Sequence, residues 1–164
     1  PEVLARALSE VLQKHPNVHG LFIGPDLGHG PTLQSVIDHL GISEQCTIAG
    51  AVDEKLLRAA YHHAFCFCFT TISKIECLGL VFVQAMCAGV PVVASRISGV
   101  PEVIVSGHNG FLFEPNNDQE LAQHIETLLS NPTAAKEMGK VGQESALAQF
   151  PLSTILDQIE TFYR

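Results

Sequence analysis

Residues 64–95 read AFCFCFTTISKIECLGLVFVQAMCAGVPVVAS, and this stretch decides the fold. Ala64 to Phe69 is a short apolar run bounded by turn residues, a length that suits a strand better than a helix. Residues 70–78 carry hydroxyls, a lysine and Glu76, as a loop does. Gly79 to about Cys87 then reads as a buried helix. Gly89-Val90-Pro91 ends it, because Pro91 has no N–H with which to extend a helix. Pro91 to Ala94 is a second apolar run. From Gly79 to Ala94 the one strongly polar residue is Gln84. The run is at the short limit of the roughly 17–25 residues of a membrane-spanning helix, and the Gly-Val-Pro break cuts it in two. Strand, loop, buried helix, strand is the better reading, with the strands parallel and covered on both faces. Phe65, Phe67, Phe69, Val81, Val92 and Val93 are therefore expected in the core.

The same alternation extends outward. Residues 2–14 place Val3, Ala7, Leu8, Val11 and Leu12 on one helical face, and His15-Pro16-Asn17 stops that helix. Val18 to Ile23 is a strand. Pro31 sits at a first helical position, and a helix runs to about Leu40. Cys46 to Ala49 is a strand, and Asp53 caps a helix reaching about His62. A short helix near Pro101 to Val105 leads to a last strand, Gly110 to Phe113. Helices at about 118–130, 132–148 and 152–163 close the chain. This order predicts an α/β fold, a Rossmann-like parallel sheet with right-handed crossovers and helices on both faces. There is no internal repeat and no linker-like stretch, so residues 1–164 read as one domain. In such sheets ligands sit outside the carboxyl ends of the strands. The informative loops are then 24–31, 50–53, 70–79 and 95–101.

Composition narrows the function. The chain has 164 residues, 46% apolar and 16% charged, so it can bury a sizeable core and is not disordered. Nine basic residues against seventeen acidic ones give a net charge of −8, and no basic run occurs. A nucleic-acid backbone wants the opposite sign, so no nucleic-acid partner is expected. The five cysteines form no C-x-x-C pair, and Cys66 and Cys68, two apart in a strand, share a face. They read as small buried residues in a reducing, cytoplasmic compartment. The eight histidines lack metal-ligand spacing, so no metal and no cofactor is expected. The first segment is interrupted by Arg6, Glu10, Gln13 and Lys14 and does not read as a signal peptide.

Three strand-to-helix loops could carry chemistry. Gly24-Pro25-Asp26-Leu27-Gly28-His29-Gly30-Pro31 could leave backbone N–H groups free at a helix N-terminus. It is neither G-x-G-x-x-G nor a P-loop, and a plain turn explains it equally. In Thr70 to Leu80, Glu76 stands just before a helix start. Either it caps that helix, or a phosphate rests on the amides of Gly79 and Leu80 while Glu76 accepts hydrogen bonds from nearby hydroxyls. In Ser95 to Glu102, Gly99 allows a tight turn, and Glu102 suits the helix dipole without any ligand. Cys77 beside Glu76 is a poor nucleophile, because a neighbouring carboxylate raises a thiol's pKa.

Taken together, ECLGLVFVQAMCAGVPVVAS at 76–95 resembles the donor-binding half of retaining GT-B glycosyltransferases of the family-4 type, which carry Glu-Gly-Phe-Gly-Leu and then Glu-Ala-Met-Ala-x-Gly-x-Pro-Val-Val-Ala-Ser. GLFIGPDLGHG, CTIAGAVDEKLLRAAYHHAFCFCFTT and SGVPEVIVSGHNGFLFEPNNDQELAQHIETLLSNP are similar to that family's flanking segments. The resemblance covers nearly the whole chain from about residue 17 and implies one half of a GT-B fold. It implies a partner, a nucleoside-diphosphate sugar, and roles for individual residues. Glu76, the catalytic candidate, would hold hydroxyls of the donor sugar. Gly79 and Leu80 would hold the diphosphate, Gly24 would line the phosphate side, and Gly50 to Val52 would meet the base.

Two departures stand out. Gln84 replaces the family's second Glu, which grips the ribose, and a neutral acceptor makes a bond roughly half as strong as a charged one. Cys77-Leu78 replaces Gly-Phe. The family's first strand, with its Gly-Arg and following Lys, and its amino-terminal acceptor domain have no counterpart here. With strand order 3-2-1-4-5-6 the missing strand is the central one. The expectation is the donor-binding domain of a glycosyltransferase, inactive alone. The alternatives are a non-catalytic nucleotide-sugar or phospholigand-binding module and a GT-B nucleotide-sugar epimerase fragment.

Overall fold

Strands and helices alternate through residues 1–72 and 79–150, the part of the chain that the computed structural model describes. In chain order they are α1 (Glu2–Lys14), β1 (Gly20–Ile23), α2 (Gly30–His39), β2 (Cys46–Gly50), α3 (Glu54–His63), β3 (Phe67–Phe69), α4 (Leu80–Cys87), β4 (Val92–Ser95), α5 (Val100–Val103), β5 (Phe111–Phe113), α6 (Asp118–Ser130) and α7 (Pro132–Gln149). A 3-10 turn, Ser43–Gln45, precedes β2. The cap expected from sequence at Asp53 forms. The Asp53 carboxylate accepts the Leu56 N–H at 2.7 Å, and the Asn131 side chain accepts the Ala134 N–H at 3.1 Å to start α7. The expected helix at 152–163 lies outside the described residues.

Every strand pair is parallel, but the ladders form two sheets, β1-β2 and β3-β4-β5. Among the described residues β1 and β3 have no ladder between them. Alternate strand residues serve opposite layers. Phe69, Val92 and Ala94 pack with Phe82 and Met86 of α4, while Val93 and Phe113 pack with α1 and α6. One helix, α1, serves both sheets: its Ala5 and Leu8 pack with Phe22 of β1, and its Val3, Ala7 and Val11 pack with Val93 of β4. A Cβ at Gly20 would come 2.5 Å from Leu8 Cδ1, so the Leu8 side chain of α1 occupies the space that the glycine of β1 leaves open. No helix among the described residues is long and apolar enough to cross a membrane.

Three expectations are corrected. The strand read at 64–69 is only Phe67–Phe69, and it forms an edge of its sheet. Phe65 lies before the ladder begins and is 42% exposed. Val81, in the first turn of α4, is 41% exposed, because with Leu80 and Gln84 it lies on the open face of a helix whose Phe82, Val83, Ala85 and Met86 are buried. Phe69, Val92 and Val93 are buried as expected, and Phe67 is half-buried.

Candidate functional site at the carboxyl ends of the strands

The predicted residues fall into two groups, both at the carboxyl ends of strands. The first is built on β1 and β2. Gly24 follows β1, and its N–H donates to the carbonyl of Gly50, the last residue of β2, at 3.0 Å. Gly50 has a left-handed φ of +67°, which turns the chain into Val52 and α3 without the strain a Cβ would bring.

Of the two readings of the loop after Gly24, its hydrogen bonds favour the plain turn. Its glycine amides are not free for a ligand: Asp26 Oδ1 accepts the N–H of Gly28 at 2.8 Å and of Gly30 at 2.9 Å. These bonds hold the Asp26 carboxyl below its ordinary pKa, Gly30 contributing most and Gly28 next. A carboxylate of the chain itself sits where the sequence offered an anion site. The signal was present in the sequence, since an Asp followed by glycine two residues on commonly bonds its own backbone.

The second group belongs to α4. Gly79, its N-cap, has φ +64°, and a Cβ there would press on the Phe69 ring at 2.7 Å. Two independent constraints therefore require glycine. Helix geometry leaves the leading amides of α4 without intrahelical acceptors, the position at which an anion is stabilised, although the Phe82 N–H already donates to the Gly79 carbonyl at 3.2 Å. The helix is buried below, with Phe82, Ala85 and Met86 at 0% exposure, while Leu80 is 69% exposed at its mouth. Gln84, expected to be buried, is exposed. Tyr61 of α3, which no motif singled out, reaches this corner. Its hydroxyl donates to the Val81 carbonyl at 3.2 Å and stands 3.4 Å from Gln84 Oε1. Its ring leans on Phe67 at 5.7 Å between centroids, and burial raises its pKa. Glu76 and Cys77 lie outside the described residues.

The end of β4 is fastened to both of its neighbouring strands. Ser95, fully buried, donates to the Phe69 carbonyl at 3.1 Å, and the Arg96 N–H donates to the Phe113 carbonyl at 2.7 Å. The Arg96 guanidinium pairs with Glu114 at 2.9 Å, so the positive charge beside β4 is already engaged. Ser98 follows with a left-handed φ of +48°. No cluster of three or more His, Cys, Asp or Glu among the described residues could hold a metal ion.

Residues 1–145 match the family described as Glycosyl transferases group 1. The chain belongs to that family. Among curated relatives, this group 1 domain is 31% identical over 140 residues to the N-acetyl-alpha-D-glucosaminyl L-malate synthase of Bacillus anthracis, covering 84% of the chain and 36% of the relative. It is 30% identical over 156 residues to a GDP-mannose-dependent alpha-(1-6)-phosphatidylinositol monomannoside mannosyltransferase of Mycolicibacterium smegmatis, covering 89% of the chain and 39% of the relative. The chain thus spans well under half the length of these two relatives. Among solved structures it is similar to Anabaena HepE in complex with UDP and glucose, with a TM-score of 0.90 and 27% identity over 98% of this chain and 43% of that one. The fold is the α/β arrangement of GT-B glycosyltransferases, with parallel sheets flanked by helices.

Proposed function

We propose that this group 1 domain is the nucleotide-sugar donor domain of a glycosyltransferase of the family-4 type, which moves a sugar from a nucleoside diphosphate to an acceptor with retention of anomeric configuration. The observation that carries this reading is the mouth of α4. Gly79 is fixed by both its φ and the Phe69 ring, and it opens a buried helix at the carboxyl end of the sheet, where amides can take a diphosphate. Glu76 holds hydroxyls of the transferred sugar, Gln84 the ribose, and Gly50 with Val52 the base. Gly24 lines the phosphate side through its backbone, with its own N–H already given to Gly50. The chemistry asked of the domain is placement of charge. The leaving diphosphate gains negative charge as the sugar–oxygen bond breaks, and helix amides oriented beforehand favour that state over the ground state. The acceptor is held by another part of the polypeptide, and this domain alone turns nothing over.

The supporting relatives are transferases, and HepE is a protein seen with UDP and glucose. The test is turnover in the full polypeptide. Glu76→Ala should lower kcat at least a hundredfold with an unchanged melting temperature, and the product should keep the donor's anomeric configuration. Unchanged turnover in that variant defeats the role of Glu76, and an inverted product defeats retention.

A further inference from the structure

Tyr61 links a loosely packed helix to the open face of a buried one. No residue of α3 is buried, and Tyr61 is half-buried, its ring packed with the cluster of α4 and β3–β5 and 5.7 Å from the ring of Phe67. A phenylalanine would fill that place equally well, so packing accounts for the ring and leaves the hydroxyl unexplained. The hydroxyl reaches the face of α4 on which Leu80, Val81 and Gln84 are exposed. These three stand three and four residues apart and are neighbours on the helix surface. Helix side chains lean toward the N-terminus, so Gln84 lies over the Leu80–Val81 turn, beside the mouth of α4.

Two carbonyl oxygens meet one phenol there, Val81 O at 3.2 Å and Gln84 Oε1 at 3.4 Å. A phenolic hydroxyl has one proton to donate and lone pairs with which to accept. Burial raises the Tyr61 pKa, so the phenol keeps its proton at neutral pH. With that proton on Val81 O, the nearer acceptor, the phenolic oxygen faces Gln84 Oε1 with no proton between them. A half-turn of the amide removes this conflict at little cost, because the last torsion of a glutamine is broad and roughly two-fold. Nε2 then donates to the phenolic oxygen, and Oε1 turns to the open side of the helix. A glutamate at 84 would need no such help, since both of its oxygens accept. An amide has one accepting end, and its orientation decides whether a ligand hydroxyl meets it.

We propose that Tyr61 is a positioning residue for the donor nucleotide: its hydroxyl holds the Gln84 amide with Nε2 toward α3 and Oε1 open to a ribose hydroxyl. This role rests on the reading of Gln84 as the ribose contact.

Tyr61→Phe keeps the ring and removes the hydroxyl. In the full polypeptide it should keep the melting temperature and weaken binding of whichever of UDP and GDP binds by about two- to tenfold, the fold-change of one net hydrogen bond. In a Gln84→Glu background the same substitution should cost less than about twofold, since a carboxylate offers an accepting oxygen in either orientation. Nucleotide binding that Tyr61→Phe leaves unchanged overturns the role of Tyr61 and leaves the donor site standing. So does an equal loss in both backgrounds, which makes Tyr61 a support of the helix and not of the amide. No binding of either nucleotide to the folded wild-type polypeptide overturns the donor site and this role together. If Tyr61→Phe does not fold, hydrogen exchange of side-chain amides in the wild type decides. An Nε2 proton of Gln84 should exchange more slowly than those of the exposed Gln13, and equal rates overturn the role.

Discussion

The Tyr61 hydroxyl stands 3.4 Å from Gln84 Oε1 and 3.2 Å from the carbonyl oxygen of Val81, joining α3 to the open end of α4. A single phenolic proton cannot serve both oxygens well, and the shorter contact is to the backbone. Gln84 is therefore only loosely held and can turn toward a ligand. A carboxylate in its place would accept more strongly from a ribose hydroxyl, by about a factor of two in bond strength. Gln84→Glu in the full polypeptide should keep the melting temperature and tighten binding of a nucleoside diphosphate several-fold by calorimetry. Equal or weaker binding separates Gln84 from the ribose.

Asn109 is buried, and both ends of its amide are used. Oδ1 accepts the Val105 N–H at 2.7 Å, and Nδ2 donates to the Val103 carbonyl at 3.0 Å. This side chain holds the turn between α5 and β5. Asn109→Ala leaves both backbone groups without their partner and should cost about 1–3 kcal/mol in chemical denaturation. A loss under ~0.5 kcal/mol would mean that water replaces the amide.

Gly139 is where α7 meets the end of α4, and an added Cβ would run into the Gly89 carbonyl. Alanine raises helix propensity by about 1 kcal/mol, but overpacking against backbone costs about 1–3 kcal/mol. Gly139→Ala is expected to be net destabilising, with a lowered melting temperature, because a carbonyl cannot step aside as a side-chain end can. A rise in melting temperature would show that α7 slides to accommodate the methyl.

Asp26 gives a pH prediction with a definite sign. Its folded pKa is lowered, mainly by the Gly30 N–H and then by the Gly28 N–H. Its contribution is therefore present above the ordinary carboxylate value and is lost as pH falls through the lowered one. The amide signals of Gly28 and Gly30 should shift together with a midpoint below 3.8, the ordinary Asp value. Asp26→Asn should abolish that titration. A midpoint at or above 3.8 would contradict the bonding seen here.

Much of the fold was legible because period and punctuation agree. Residues 2–14, 118–130 and 132–148 carry helical spacing and their own stops, and Asp53 caps as its residue type suggests. The exposure of Phe65 and Val81 was not legible, because an apolar residue carries no mark of where its ladder begins. The exposure of Gln84 was hidden for a related reason. A polar residue in an apolar helix looks buried until it is known which face of the helix is left open. The split between β1 and β3 agrees with the missing central strand that the family resemblance implies, although α1 packs against both sheets. Tyr61 was missed because its partners are a backbone carbonyl and a residue twenty-three positions away.

The most direct test of the donor site is an amide NMR titration of the isotope-labelled full polypeptide with UDP and, separately, GDP. The proposed site predicts saturable shifts with at least one of them, concentrated at Gly24, Gly50, Val52, Gly79, Leu80 and Gln84. It also predicts little change along α6 and the outer face of α2. No saturable shift with either nucleotide in a folded protein, or shifts gathered away from the mouth of α4, would contradict it.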